Sequence, residues 1–254
     1  MSSLTDVTIA DVLAFLREVL PPPPCSVLEI GCGYGSLAAA LRDSGYHVTG
    51  LEPDPEAAER ARERGVRVVE KGLLDYDGGP FDAVIGMRSL HHVARLDKAI
   101  EHALSLLIPG GVLALDEFCR ERADRRAAAF FYDVRGLLFA AGLGSAHEDS
   151  RHGNGEVDPA RDPLERWQEA LAPSEDHPLH EGEDVRAVVA QRAEIAYSAY
   201  VPYLWRHILG TSVDEHETWA GPAATYLHAV ERRRVAEGSL PPIGLRLAAR
   251  APAR

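Results

Sequence analysis

The stretch Val27-Leu28-Glu29-Ile30-Gly31-Cys32-Gly33-Tyr34-Gly35 carries the first chemical signal in the chain. An apolar run enters a turn with glycine at alternate positions, and an amphipathic segment follows from Ser36. Glycine lets the backbone bend where other residues cannot and lets it come close to a ligand. The N–H groups that open the following helix can face that same ligand. Glu29 sets a carboxyl just before the turn, and Glu52 sets another at the end of the next apolar run, Val48-Thr49-Gly50-Leu51. A carboxylate at that strand end can accept both hydroxyls of a ribose. Further on stand His91 and His92, whose imidazoles change charge between about pH 5 and 8 and so can move protons.

The elements that must position these groups follow from periodicity. Thr8–Leu20 reads as a helix with Thr8 and Asp11 as its capping pair, stopped by Pro21–Pro24. Strands are expected at Val27–Ile30, His47–Leu51, Val66–Val69, Phe81–Gly86 and Val112–Leu115, and helices at Ser36–Asp43, Pro55–Arg64 and Leu96–Leu107. Short apolar strands alternating with helices mean an α/β fold whose parallel sheet is covered on both faces. Beyond Phe118 the rhythm changes. Helices are expected at Ala123–Ala141, Pro163–Leu171, Asp184–Gln191 and Ser212–Glu237, strands at Ala193–Tyr200 and Ile243–Ala249, and a loop from Gly142 to Pro163. No linker-like stretch divides the chain, so residues 1–254 read as one domain. Its parts are a ligand-binding core (1–118), an inserted helical cover (119–192) and C-terminal strands with a helix (193–254).

Composition narrows the function. The 254 residues are 46% hydrophobic and 26% charged, and 27 Lys+Arg against 39 Asp+Glu leave a net charge of −12. That balance argues against a broad nucleic-acid or anionic-membrane surface, which would need clustered cations. Cys25, Cys32 and Cys119 form neither a disulfide framework nor a CxxC pair. His147, His152, His177 and His180 lie in irregular acidic stretches without zinc spacing, so no metal is expected. Neither a signal peptide nor a run of 18 apolar residues is visible, and the expected setting is cytoplasmic.

The dinucleotide fingerprint G-x-G-x-x-G would place its third glycine at Ser36, and here it falls one residue early at Gly35. With Glu29 ahead of the turn, the pattern instead resembles motif I of class I S-adenosylmethionine-dependent methyltransferases, E/D-x-G-x-G-x-G. Four further stretches stand at the spacing of that family: Glu52, Leu73-Leu74-Asp75, Phe81–Val84 with Ser89-Leu90-His91-His92-Val93, and Leu106–Gly111. The closing stretch Gly244–Arg250 is similar to its last strand. The resemblance implies a Rossmann-like, seven-stranded, mostly parallel sheet with the last strand antiparallel. It also implies S-adenosylmethionine as cofactor.

On that resemblance, Glu29, Gly31, Cys32, Gly33, Tyr34, Gly35, Glu52, Pro53, Leu73, Leu74, Asp75, Met87 and Arg88 would bind the cofactor. Family members often carry an acidic residue where this chain has Gly72, which leaves Asp75 as the adenine partner. His92, then His91, are the candidate bases, although either imidazole could instead pack against or orient the cofactor. Arg88 could alternatively bind an acceptor carboxylate. Arg120, Tyr132, Trp167 and Tyr203, aromatic or cationic residues of the second half, are expected to bind the acceptor. The chain lacks the Asn/Asp-Pro-Pro-Tyr/Phe motif of methyltransferases acting on nucleic-acid amino groups, reading Gly86-Met87-Arg88-Ser89 instead. A small-molecule acceptor is favoured, with protein or peptide acceptors left open, and the expected state is a monomer or homodimer with no nucleic-acid or membrane partner. Three other readings stay open: a cofactor-binding protein or an enzyme using the same cofactor for a different reaction, a nicotinamide-dependent oxidoreductase, and a partner-binding domain without ligand.

Overall fold

The computed structural model describes residues 2–93, 95–144, 161–171, 180–210 and 217–252, and it omits the side chain of His92. His147, His152 and His177 lie outside the described residues, as does most of the expected loop. The chain forms two compact units. A sheet unit comprises Ile9–Phe118, His177–Ala199 and Leu245–Arg254, and a helical unit comprises Met1–Thr8, Cys119–Asp176 and Tyr200–Gly244.

The sheet has seven strands: β1 (Ser26–Ile30), β2 (His47–Leu51), β3 (Arg67–Val69), β4 (Phe81–Met87), β5 (Leu107–Phe118), β6 (Glu194–Val201) and β7 (Gly244–Arg250). Their spatial order is β3-β2-β1-β4-β5-β7-β6. β1 pairs in parallel with β2 and β4, β2 with β3, and β4 with β5. β7 runs antiparallel to β5: Cys119 N–H bonds Ile243 O near one end, and Ala251 N–H bonds Gly111 O at the other. The mostly parallel sheet with a reversed last strand is therefore present.

Alternation along the strands explains why both faces are covered. Leu28, Ile30, Val84, Leu113 and Leu115 face one core with α4 (Leu96–Ser105) and α7 (Gly182–Ala190). Val27, Ala83, Ile85, Val112 and Ala114 face the other, with α2 (Ser36–Asp43), with Val12, Leu13, Phe15 and Leu16 of α1 (Leu4–Val19), and with Leu20 just beyond it. Side chains of period two feed two helix layers, as in a parallel sheet buried on both sides.

Several boundaries differ from expectation, those of helix α1 and strand β5 among them. Helix α1 starts a turn earlier, because Ser3 Oγ accepts Asp6 N–H at 3.0 Å and Asp6 Oδ2 accepts Ser3 N–H at 2.8 Å. Asp11 is no cap: it joins Asp116 in clamping the buried Arg246 guanidinium. Strand β5 runs past Leu115 through Asp116 and Glu117, two acidic residues that are fully buried.

The helical unit holds α5 (Arg125–Ala140), α6 (Pro163–Ala170), α8 (Leu204–Gly210) and α9 (Ala220–Ala236). Helix α9 begins later than the expected Ser212, and residues 211–216 lie outside the described residues. Helix α8 was not expected from the sequence, since no local capping residue announces it. Its first N–H groups are held instead by the buried Glu231 of α9, whose carboxylate accepts from Tyr203, Leu204 and Trp205 at 2.7, 3.0 and 2.9 Å.

Candidate active site

Strand order fixes where a ligand can sit. The chain leaves β1 toward β2 and β3 on one side, then returns to place β4 on the other. Such a switch point opens a crevice beyond the carboxyl ends of the strands. Those ends carry Gly31–Gly35 after β1, Glu52 after β2, Met87 at the end of β4 with Arg88–His92 after it, and Glu117 near the end of β5. All of them belong to the sheet unit.

The three glycines are all left-handed, with φ of +66° at Gly31, +52° at Gly33 and +76° at Gly35, but their surroundings differ. A Cβ on Gly33 would meet nothing within 4 Å, so its backbone borders open space. A Cβ on Gly35 would come within 2.7 Å of Ala61 Cβ, so this glycine lets α3 (Pro55–Glu63) approach α2. Cys32 N–H bonds Leu51 O at 2.9 Å, tying the turn to β2. Glu52 completes the frame: Oε2 accepts Gly33 N–H at 2.8 Å and Oε1 accepts Asp54 N–H at 3.0 Å. Its carboxylate is thus oriented at the turn by the backbone itself.

Glu29 is buried, and its Oε2 has no hydrogen-bond partner among the described residues. Burial pushes its carboxyl up to about 8 from 4.5. Because the folded value lies above the unfolded one, the stabilisation is full below about pH 4.5 and is lost as pH rises through about 8. Glu29→Gln is therefore expected to be more stable than the parent at pH 8.5 by on the order of 2 kcal/mol. The difference should vanish below pH 4.5, as read by urea denaturation followed by far-UV circular dichroism. An equal difference at both pH values would refute it.

Cys32 is also buried, and burial, with the Glu29 and Glu52 carboxylates adding to it, pushes its thiol up to about 12. It packs with Ala38, Ala61 and Val66. Tyr34 is exposed under the Arg60 guanidinium, and its carbonyl accepts from Arg64 at 3.1 Å. Pro53 is exposed beside Glu52. A 3-10 turn at Leu73–Asp75 buries Leu73 but leaves Leu74 and Asp75 exposed, an apolar side chain next to a carboxylate.

After β4, Met87 is half-buried, and Arg88 adopts φ +59° while its N–H bonds Asp116 O at 2.8 Å. Ser89 Oγ is buried without a hydrogen-bond partner among the described residues. It belongs at the glycine turn, since a Cβ on Gly31 would lie 3.3 Å from Ser89 Cβ. His91 lies in a 3-10 turn, Leu90–His92, with Nδ1 2.6 Å from Glu117 Oε2. Glu117 Oε1 accepts Leu90 N–H at 2.9 Å. His180 braces the same turn, its N–H on His91 O and its Nε2 2.8 Å from Val93 O. Ser89, Glu117 and His180 escaped the sequence reading as site residues. Only Glu117 left a usable signal there, as an acidic residue closing an apolar strand run.

The residues expected on the acceptor side lie in the helical unit. Trp167 is buried, edge-on to Phe131 at 5.2 Å, and its Nε1 donates to Arg120 O. Arg120 donates to Leu171 O, and Tyr132 is buried with the Arg166 guanidinium 3.9 Å above its ring. Tyr203 is buried at the start of α8. Among the described residues no group of three or more His, Cys, Asp or Glu is arranged to hold a metal, and no helix is long and apolar enough to cross a membrane.

Residues 4–178 match the family model described as a methyltransferase domain. The chain belongs to that family and is a class I S-adenosylmethionine-dependent methyltransferase, with S-adenosylmethionine as its cofactor. Among its relatives is a ubiquinone biosynthesis O-methyltransferase from Xanthomonas axonopodis pv. citri (strain 306), 32% identical over 200 residues, which make up 74% of this chain and 80% of that one. The enzyme of the same name from Xylella fastidiosa (strain 9a5c) is 32% identical over 140 residues, 52% of this chain and 55% of the relative. Among solved structures, a putative S-adenosylmethionine-dependent methyltransferase from Listeria monocytogenes superposes with TM-score 0.57 at 15% identity, over 95% of this chain and 98% of that one. The cyclase SpnF superposes with TM-score 0.56 at 19% identity, over 97% and 82%. Methyltransferases and a cyclase thus share this fold, and the activity rests on the family match.

Proposed function

We propose that the protein methylates a small molecule, with the donor held at the carboxyl ends of β1, β2 and β4. The observation that carries this reading is the open turn at Gly33 framed by two carboxyls, one of them buried with an unpartnered oxygen. Bound S-adenosylmethionine supplies an activated methyl group on a sulfonium. Glu52, already oriented by two backbone N–H groups, accepts the ribose hydroxyls. Glu29 answers the donor's ammonium, which gives its orphaned oxygen a partner and favours its ionised form. Gly31 and Gly33 let the backbone come close, with Cys32 fixing the turn from below, Gly35 seating the helix behind it, and Tyr34 and Pro53 at its rim. Leu73, Leu74 and Asp75 frame the adenine, and Met87 and Arg88 border the methionine end. Holding the acceptor in line with the methyl can itself remove up to about 7–11 kcal/mol of barrier.

The names of the O-methyltransferase relatives support a small-molecule acceptor. The net charge of −12 supports an acceptor other than nucleic acid, and three buried cysteines kept as thiols support a reducing, cytoplasmic setting. We place the enzyme there as a monomer or homodimer. Titration calorimetry of the full chain with S-adenosylhomocysteine and, in parallel, NAD tests the site. Micromolar affinity for the first and none for the second is expected. Binding of NAD alone, or of neither, would overturn the assignment.

A further inference from the structure

The pair formed by His91 and Glu117 is not explained by cofactor binding. Glu117 is fully buried at the end of β5, where apolar side chains are the rule, while the His91 side chain keeps 12% of its surface exposed. A carboxylate can only accept, so the 2.6 Å contact requires the hydrogen to sit on Nδ1. In the neutral ring the lone pair then belongs to Nε2. Glu117 is not free to turn away, because its other oxygen accepts Leu90 N–H at 2.9 Å. The two hydrogen bonds from His180 secure the backbone of the same turn. An imidazole fixed in one tautomer and one orientation by a buried carboxylate is the arrangement of a general base with its orienting group.

The geometry points to Glu117 as the positioning residue that makes His91 the base, and to a phenolic hydroxyl as the group methylated. This rests on the methyltransferase reading and deepens it. A thiolate or carboxylate acceptor is already nucleophilic near neutral pH and needs no base, whereas a phenol with a pKa near about 10 and a protonated amine both do; between those two, the O-methyltransferase relatives favour the hydroxyl. In the step, the acceptor oxygen forms its bond to the methyl carbon as the S–CH3 bond breaks. The sulfonium keeps that electron pair and becomes a neutral thioether, and the hydroxyl proton passes to Nε2 of His91. The base is thus His91, whereas the sequence ranks His92 first.

The first test needs no acceptor. In the full chain labelled with 15N-histidine and saturated with S-adenosylhomocysteine, the His91 signals are identified by their loss in His91→Gln. A protonated Nδ1 and an unprotonated Nε2 are expected. In Glu117→Gln, Leu90 N–H keeps the amide oxygen, so the amide NH2 faces Nδ1 and should switch the ring to the other tautomer. An Nε2–H tautomer in the parent protein, or the same tautomer in both, would overturn the positioning role. The second test offers labelled donor with catechol, hydroquinone, a primary alkylamine or an alkylthiol. Label should enter a phenol, and Glu117→Gln should lower kcat on the order of 100-fold while leaving the KM for the donor within about threefold. Methylation of only the amine or thiol, or of neither phenol, would overturn the acceptor class. Calorimetry on the same samples separates the failures: without S-adenosylhomocysteine binding the methyltransferase site itself is wrong, and with binding only the present inference falls.

Discussion

Glu52→Ala is expected to weaken S-adenosylhomocysteine binding about 100-fold while leaving the fold intact. A carboxylate that accepts two hydroxyls makes two charge-assisted hydrogen bonds, each worth about 1.5–3 kcal/mol. Removing both costs about 3 kcal/mol, which is about two orders of magnitude in Kd. The fold should tolerate the change because the two N–H groups Glu52 holds, on Gly33 and Asp54, lie where water can replace it: Gly33 borders open space and Asp54 is exposed. Calorimetry gives the affinity and circular dichroism the folded state. An unchanged Kd in a folded variant would remove Glu52 from the cofactor site.

Glu231→Ala should act in the opposite way, costing stability on the order of 4 kcal/mol in the helical unit. Its carboxylate is the acceptor for three backbone N–H groups that open α8, and all of these bonds are buried. A buried donor stripped of its acceptor costs about 1–3 kcal/mol, and the alanine leaves a cavity as well. Burial raises the Glu231 carboxyl above its ordinary range, because desolvation outweighs the donors that favour the charge. Glu231→Gln keeps an oxygen for Tyr203 and Leu204 but turns an NH2 group toward Trp205 N–H, so its loss should be intermediate. The three tryptophans, Trp167, Trp205 and Trp219, all lie in the helical unit, so their fluorescence during urea denaturation reports this unit alone. A shift in midpoint equal to that of a surface control would refute the capping role.

Both sites show which interactions a linear reading can reach. Glu29, Gly31, Gly33 and Gly35 are local in sequence, and their alternation after an apolar strand already implied a turn with positive φ open to a ligand. The parallel sheet was equally legible, since the short apolar runs Val27–Ile30, Phe81–Gly86 and Val112–Leu115 alternate with helical segments, and the structure buries both faces of those strands. The helix at Ser36–Asp43 and the strand at His47–Leu51 carry their own start and stop signals and fall where they were expected.

Tertiary structure decided the rest, in each case through partners far apart along the chain. Asp11 read as a local cap until Arg246, 235 residues on, claimed its carboxylate. Gly35 matched a ligand motif, and its close approach to Ala61 gives it a packing role visible only once α3 lies against α2. Helix α8 has no cap of its own and depends on Glu231, 26 to 28 residues away. His91 and His92 were nearly equivalent in sequence, and the partner of His91 is a carboxylate 26 residues later on the neighbouring strand. Periodicity and turn chemistry are properties of a segment, so the sequence by itself determined most of the elements, α8 excepted, and the glycine turn. The partner of a buried charge is a property of the packed chain, because a desolvated carboxylate must take whatever donor the fold brings to it.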